Sequence, residues 1–402
     1  MISGKRAGEF GDLQDGEMLV LGATYEIRPG TAVEAGNARP VRADVGCFNR
    51  SLGLVSINLS STVAGWRFAT AAGLFVLALG MPSVRAQTAV EAAVKALPEK
   101  APSVDANPAT AETVALGREL FFDKRLSSDN DMSCASCHIP DKAFADGLAK
   151  ARGAQGRVLS RNTPSLWNLG AYQSYFWDGR AASLEEQALA PIQAADEMGQ
   201  DLDELESELN GVPGYAARFR KVFGGPVTRE GIARALAAYQ RSLVTRDSDF
   251  DRYLAGDVSA LSEDALAGWE IFQEAGCIRC HSGVHFTDNA FHRLGVSFDD
   301  EGRGAITGQA EDRYAFRTPG LRDVAKTAPY MHDGSLATLT EVVEFYYRST
   351  PVRAPDGLPL SFEPLSYRSF SEIPLIVAFL NALSGVAQDT GQAHLPSAGE
   401  EP

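Results

Sequence analysis

The spacing of hydrophobic positions predicts a mainly helical chain. Apolar residues recur at the period of an α-helix in one central segment, at Ile232, Ala235, Leu236, Tyr239 and Leu243, which predicts an amphipathic helix. The largely apolar segment 371–384 predicts a closing helix, and the polar segment 246–257 predicts a hinge. Residues 1–62 show no clear periodicity.

One unit of sequence occurs twice. The segment 161–186 runs parallel to 316–341: each contains Thr-Pro-x-Leu, and in each an Asp-Gly pair follows 15 residues after the threonine. Similar helical segments, GRELF and GWEIF, precede the two matching regions. We therefore predict two homologous domains, at 106–250 and 251–386.

A C-x-x-C-H motif lies in each predicted domain. This spacing is typical of c-type haem attachment, in which the two cysteines bond the vinyl groups and the histidine binds iron. Four of the five cysteines belong to the motifs, so no cysteine pair remains for a disulfide. The sequence predicts two covalently bound haem c groups, held by Cys134, Cys137 and His138 and by Cys277, Cys280 and His281.

Segment 63–86 has the pattern of a secretory signal. Arg67 precedes an uncharged apolar run, and Val84-Arg85-Ala86 is a small-x-small cleavage site. The pattern predicts export to the periplasm, with a retained membrane anchor as the alternative. Residues 1–62 are interpreted as untranslated sequence or disordered chain.

Composition changes this picture little. Segments 87–105 and 387–402 are poor in aromatic residues and are predicted to be flexible. The net charge of −15 argues against nucleic acid as a partner.

The repeat predicts what stands opposite each iron. Trp177 occupies the position of His332, and Pro191 occupies the position of Tyr346. Proline offers no ligand atom, whereas a tyrosine phenolate can bind ferric haem. We therefore expect an open first iron and a second iron bound by His281 and Tyr346.

Two alternatives remain open. A histidine from the second domain can close the first iron, and the candidates are His285, His292, His332 and, in the tail, His394. Tyr346 can instead pack in the apolar row around it, with the neighbouring Tyr347 as the ligand.

These motifs resemble the bacterial dihaem cytochrome c peroxidase superfamily, and most of all its MauG-like branch. The resemblance rests on the haem spacing, YFWDGR, SLEEQALAPIQAADEMG and TAPYMHDGS, and covers roughly 110–385. It implies tyrosine, here Tyr346, where peroxidases of the family usually have methionine. Many of them also carry a histidine after the first haem motif, but this chain has KARGAQGR there. The departure casts doubt on any need for reductive activation.

The resemblance also implies a catalytic pocket above the first haem. Gln187 and Glu197 match the distal Gln and Glu of the family, and Trp177 matches the tryptophan between the haems. A carboxylate can move the proton of peroxide, and an amide can hold the ligand. The alternatives are a solvent-facing pair and a tryptophan packed in the core.

A calcium ion between the domains is a further implication. Its matching ligands are the Asn162 side chain and the carbonyls of Thr327 and Pro329, and oxygen donors suit Ca²⁺. The alternative for Asn162 is a turn residue before Thr-Pro.

Three functions are considered. The favoured one is a periplasmic peroxidase that reduces hydrogen peroxide at the first haem with electrons relayed by the second. Its electron donor would be a small soluble protein, such as a c-type cytochrome or a copper protein. The alternatives are a MauG-like enzyme that oxidises residues of a partner protein, and a non-enzymatic electron carrier. A homodimer is left open.

Overall fold

The computed structural model describes residues 104–348 and 354–387, positions 94, 96 and 97, and the backbone of 16–20 and 23–27. The chain divides into two units, Met1–Ala78 and Leu79–Pro402. In the first, β1 (Gly16–Val20) pairs antiparallel with β2 (Ala23–Ile27), inside the segment where the hydrophobic pattern predicted no element. The expected leader at 63–86 and the tail beyond 387 lie outside the described residues.

The second unit is mainly helical, which confirms the predicted class. Its first half contains α1 (Ala111–Phe122), α2 (Cys134–Cys137), α3 (Leu184–Gln193), α4 (Leu202–Asn210), α5 (Pro213–Phe223) and α6 (Arg229–Ser242). Its second half contains α7 (Asp249–Leu254), α8 (Glu263–Glu274), α9 (Gly304–Thr307), α10 (Leu339–Tyr347) and α11 (Ile373–Ala382).

The strands of this unit form two short antiparallel ladders. β3 (Thr245–Arg246) pairs with β6 (Val386–Ala387), and β4 (Phe291–Arg293) pairs with β5 (Ala315–Arg317). None of the helices in the described part of the chain combines the length and the apolar character that crossing a bilayer requires.

Each half closes on one crossing of two helices. Gly117 of α1 meets α6 so closely that a Cβ atom there would lie 1.8 Å from the Ala235 carbonyl oxygen. Gly268 of α8 meets α11 in the same way, at 1.9 Å from the Leu375 carbonyl oxygen. Only glycine permits this approach, and the two crossings are equivalent positions of the repeat.

The aromatic packing of the two cores follows the same repeat. Phe121 contacts Tyr239 edge to face in the first half, with ring centroids 5.1 Å apart. Phe272 contacts Phe379 in the second half at the same distance. Phe250, the last residue assigned to the first domain, is fully buried in the second core.

Two segments without predicted secondary structure make specific contacts. The expected hinge contains α7, whose first turn is capped reciprocally by Ser248 and Asp251. In the segment predicted to be flexible, Val94 is buried in the second core, and the Leu97 amide donates to Asp251 at 3.2 Å. These contacts tie Val94 and Leu97 to the second half.

The two halves meet through reciprocal main-chain hydrogen bonds. The Asn162 amide donates to the His332 carbonyl, and the Arg317 amide donates to the Trp177 carbonyl, both at 2.8 Å. Since Asn162 corresponds to Arg317 in the repeat, and Trp177 to His332, the bonds are related by a pseudo-two-fold axis. The observed interface therefore supports the register that aligned Trp177 with His332.

Candidate functional site

The first C-x-x-C-H motif offers two sulfur atoms and one nitrogen atom that can bind a prosthetic group. Cys134 and Cys137 begin and end α2, and their thiols are partly buried and unpaired. The ring nitrogen Nδ1 of His138 lies 2.8 Å from the Phe144 carbonyl oxygen. A donor bond from Nδ1 leaves Nε2 as the ligand atom. Burial lowers the pKa of His138, which favours the neutral ring that binds a metal.

The second motif repeats this arrangement. Cys277 opens a short 3₁₀ turn, and Nδ1 of His281 lies 3.1 Å from the Phe286 carbonyl oxygen. Phe144 and Phe286 both have a φ of 56°, a left-handed conformation that is uncommon for bulky residues. The matching strain accompanies the same carbonyl contact in both halves, so the donor sets fit two haem c groups.

The candidate histidine His292 belongs to the second motif. Cys280, Asp288 and His292 have ligand atoms within 4.8 Å of one another, the one such cluster among the described residues. The Cys280 contact and the Asp288 hydrogen bond at 2.8 Å raise the pKa of His292 to about 9. Because Cys280 belongs to the second C-x-x-C-H motif, we assign the cluster to that motif. His292 is thereby engaged away from the first motif.

Glu197 faces the first motif. Burial is the main cause that raises the pKa of Cys134 to about 12 and that of Cys137 to about 11, and the Glu197 charge adds to both shifts. Burial also raises the pKa of Glu197 itself, while Arg180 moderates the shift. A carboxyl group in this environment is suited to accept and return a proton.

Gln187 and Pro191 lie one turn apart on α3. The Oε1 atom of Gln187 is buried and has no hydrogen-bond partner in the described structure. The chain then turns back so that the Met198 amide donates to the Pro191 carbonyl at 3.1 Å, which brings the adjacent Glu197 towards α3. The turn thus holds Glu197 next to the Pro191 end of α3, one helical turn from Gln187.

A loop without histidine packs against this pocket. In the KARGAQGR segment, the Ala154 amide donates to the Glu197 carbonyl at 2.8 Å. A Cβ atom on Gly153 would lie 1.9 Å from the Asp196 carbonyl oxygen. Gly153 therefore allows the loop to support the turn that carries Glu197.

Trp177 lies at the junction of the two halves. Its indole Nε1 donates to the Asn162 carbonyl at 3.0 Å. The neighbouring Asp178 pairs with Arg161 at 2.6 Å, and Arg161 also pairs with Asp300 of the second half at 2.7 Å. The sequence reasoning missed this bridge, although the Asp-Gly repeat included Asp178.

His332 and His285 are both buried at this junction. His332 is stacked on Phe316 with ring centroids 3.7 Å apart, and its Nε2 has no partner among the described residues. His285 contacts Tyr172 of the first half edge to face, and burial lowers the pKa of His285 to about 4. Neither contact joins these histidines to His138.

The two adjacent tyrosines of α10 differ in their contacts. The Tyr347 hydroxyl donates to Glu372 at 2.8 Å. Burial raises the pKa of Tyr346, and the charges of Cys277 and Cys280 add to this shift, so Tyr346 is the tyrosine whose hydroxyl interacts with the second motif. This arrangement favours Tyr346 over Tyr347 as the residue directed at the second haem.

The residues proposed for calcium make local contacts. The Asn162 amide group donates to the Leu148 carbonyl at 2.8 Å, and the Thr327 hydroxyl donates to the Val324 carbonyl at 3.0 Å. Pro329 follows a cis peptide bond with Ala328. Within the described ranges, no hydrogen bond joins Asn162 to Thr327 or Pro329.

Comparison with known proteins gives a consistent result. The family model for di-haem cytochrome c peroxidase matches residues 111–259. The methylamine utilization protein MauG of Methylorubrum extorquens is 44% identical over 293 residues, which are 71% of this chain and 82% of that protein. The cytochrome c551 peroxidase of Pseudomonas aeruginosa is 34% identical over 345 residues, which are 82% of this chain and 95% of that protein.

The solved structures agree. A MauG-like protein associated with microbial copper homeostasis has a TM-score of 0.63 and 31% identity, covering 72% of this chain and 95% of that one. The dihaem peroxidase BthA of Burkholderia thailandensis has a TM-score of 0.60 and 25% identity, covering 76% and 96%.

The fold and the two motifs define the class as an oxidoreductase of the c-type cytochromes, which confirms the predicted enzyme. More particularly, the chain belongs to the di-haem cytochrome c peroxidase and MauG family.

Proposed function

We propose that the chain reduces hydrogen peroxide at a first haem, held by Cys134, Cys137 and His138, with electrons relayed by a second. The first c-type domain would span 106–250 and the second 251–386. One observation supports the proposal most strongly. The partly buried carboxyl of Glu197 has a raised pKa and its charge acts on Cys134 and Cys137, while the buried Oε1 of Gln187, one turn before Pro191, has no partner among the described residues.

Glu197 would act as the acid and base of the reaction. Cys134, Cys137 and His138 would hold a haem that, when bound, would supply an iron for peroxide binding and electron transfer, and Pro191 would offer that iron no ligand atom. Glu197 would take the proton from one peroxide oxygen and return it to the other as the O–O bond breaks. Gln187 would orient the bound oxygen by hydrogen bonding through its amide group.

The second haem would be held by Cys277, Cys280 and His281, with Tyr346 as its second axial ligand. Trp177 would connect the two haems, since its indole is held at the junction of the halves. An anionic oxygen ligand stabilises ferric iron, so Tyr346 would favour the oxidised state of this haem.

Tyr346 also favours a second candidate function. A phenolate ligand also stabilises more highly oxidised iron, so a second haem bound by Tyr346 would retain oxidising equivalents taken from peroxide for use on residues of a partner protein. The similarity of the chain to two MauG proteins, at 44% and 40% identity, supports this alternative. The chain belongs to a family of oxidoreductases. We therefore do not favour the third function, a non-enzymatic electron carrier.

Steady-state turnover separates the two candidates. With hydrogen peroxide and reduced cytochrome c or a reduced copper protein, a peroxidase should oxidise the donor continuously. Peroxide consumption without sustained donor oxidation would contradict the peroxidase proposal and favour oxidation of a protein substrate.

Calcium, export and assembly complete the proposal. We propose Ca²⁺ between the halves, bound by the Asn162 side chain and the carbonyls of Thr327 and Pro329. Metal analysis of active, exhaustively dialysed protein should find it, and a calcium-free active protein would contradict the site.

Covalent haem attachment and the signal-like segment 63–86 support a periplasmic location. A homodimer can be checked by light scattering.

A further inference from the structure

We propose that Glu185, Arg241 and Asn107 form a positioning device, which we call the α3 anchor. It sets the rotation of α3 about its own axis and thereby aims Gln187 and Pro191 at the first haem. The inference rests on the proposed role of that haem as the site of peroxide reduction.

The α3 anchor is a nearly complete set of polar contacts. Arg241 of α6 is buried, with 4% of its surface exposed, and its two terminal nitrogens donate to the two carboxylate oxygens of Glu185 at 2.8 and 2.7 Å. The Asn107 amide donates to the same carboxylate at 2.6 Å and to the Arg234 carbonyl at 3.0 Å. Bidentate pairs of this kind fix orientation as well as distance.

The carboxylate of the anchor is held in its charged form. Burial opposes ionisation of Glu185, but the hydrogen bonds from Arg241 and Asn107 hold its pKa below the usual range. The carboxylate therefore stays charged at neutral pH, and the pair stays intact.

The geometry of α3 couples the anchor to the pocket. With about 3.6 residues per turn, the buried stripe of the helix consists of Leu184, Ala188 and Ile192. Glu185 lies on one flank of this stripe, and Gln187 and Pro191 lie on the other. A contact that holds the Glu185 flank against α6 therefore determines the direction in which the opposite flank points.

The helix needs such a contact for two reasons. Pro191 has no N–H group, so the helix lacks the main-chain bond that would normally reach the Gln187 carbonyl. The buried stripe contains the small Ala188, which packs with little shape to resist rotation. The anchor supplies resistance at the turn that carries Gln187.

Among the described residues of the second half, the positions equivalent to the anchor form no such contact. The helix-crossing glycines align Arg241 with Asn381, which is exposed and donates to Val377 of its own helix at 2.8 Å. The repeat aligns Glu185 with Thr340, which is exposed. The anchor is thus present in the half that carries the proposed reaction pocket.

The first test uses Glu185→Gln in the dihaem protein. Two measurements are made: the rate of reaction with peroxide, and cyanide binding to the ferric first haem followed by absorbance. We expect about a 10- to 100-fold lower peroxide rate, the range for small misplacements of reacting groups, and altered cyanide affinity. The matched control is Glu301→Gln, which breaks an exposed pair with Arg313 and should change neither measurement.

The second test separates aiming from stability. Glu185→Leu combined with Arg241→Leu removes both charges, so no buried charge is left unpaired and the Tm should approach that of the parent. The orientation of Gln187 and Pro191 towards the first haem should still be lost. The peroxide rate and the cyanide affinity should therefore remain altered. A double variant that recovers both measurements together with the Tm would overturn the inference.

Cyanide keeps this test independent of the proposed function. If the parent fails to react with peroxide, the proposed function fails. The α3 anchor still stands in that case if Glu185→Gln alters cyanide binding, and it is overturned if cyanide binding is unchanged.

Discussion

Proton transfer would divide the proposed roles of Glu197 and Gln187. Glu197 can accept and return a proton, whereas the amide of Gln187 can only donate or accept hydrogen bonds. Burial of Glu197 strengthens this division because it brings the pKa of the carboxyl closer to neutrality.

Replacing Glu197 with Gln should therefore slow the reaction with peroxide by at least about 100-fold, the lower end of general acid–base contributions. Stopped-flow mixing of the dihaem variant with peroxide measures the rate. Affinity for a neutral ligand of the first haem and haem content should be preserved, because glutamine has nearly the same shape. A rate within a few-fold of the parent would exclude Glu197 as the proton carrier.

The pH dependence follows from the direction of the Glu197 shift. Below its raised pKa, the carboxyl is protonated and cannot accept a proton from peroxide. The rate should therefore rise with pH through a value above the usual glutamate range, and Glu197→Gln should lack this step. A rate–pH profile of both proteins from pH 4 to 8 (about the range in which a buried carboxyl titrates) makes the comparison; an identical step in the variant would assign it to another group.

The two tyrosines of α10 allow a matched pair of substitutions. Tyr346→Phe should change the absorption spectrum of the second haem, because it removes the proposed phenolate ligand. Tyr347→Phe should leave that spectrum unchanged and lower stability by about 1 kcal/mol, the usual contribution of a hydrogen bond, since it loses the bond to Glu372. The opposite pattern would shift the ligand by one residue.

At the scale of elements, the sequence predicted the motifs that occur in both halves. It did not predict contacts between residues that are distant along the chain. The Thr-Pro signal of the repeat is joined in space to the segment that follows the first haem motif, because the Thr163 hydroxyl donates to Asp146 at 2.8 Å. The α3 anchor could not be predicted, because Asn107, Glu185 and Arg241 come from distant segments with no common spacing. The hinge prediction at 246–257 overlooked the Ser248–Asp251 capping box that starts α7.

The KARGAQGR loop provides a prediction at this scale. Gly153→Ala should displace the loop from the turn carrying Glu197, because the added Cβ would lie 1.9 Å from the Asp196 carbonyl oxygen. We expect a lower peroxide rate with both haems retained. Gly225→Ala is the control, since a Cβ there meets no atom within 4 Å. Equal rates in the two variants would separate the loop from Glu197 function.

At the scale of the whole molecule, the internal repeat was the most informative feature of the sequence. It anticipated two helical halves, the pairing of Trp177 with His332 and that of Pro191 with Tyr346, and the reciprocal bonds across the interface support the first pairing. The boundary between the two halves was harder to predict from the sequence. Phe250 was assigned to the first half, but it packs with Trp269 in the second core. Side-chain partners across the interface, such as Arg161 and Asp300, depend on the folded arrangement alone.

In the proposed function, one haem is open and the other is closed. The most direct measurement is electron paramagnetic resonance of the resting, fully ferric dihaem protein, with and without cyanide. We predict one high-spin and one low-spin signal, and conversion of the high-spin signal to low spin by one cyanide per chain. Two low-spin signals that cyanide does not change would contradict the account, because both irons would then carry two axial ligands.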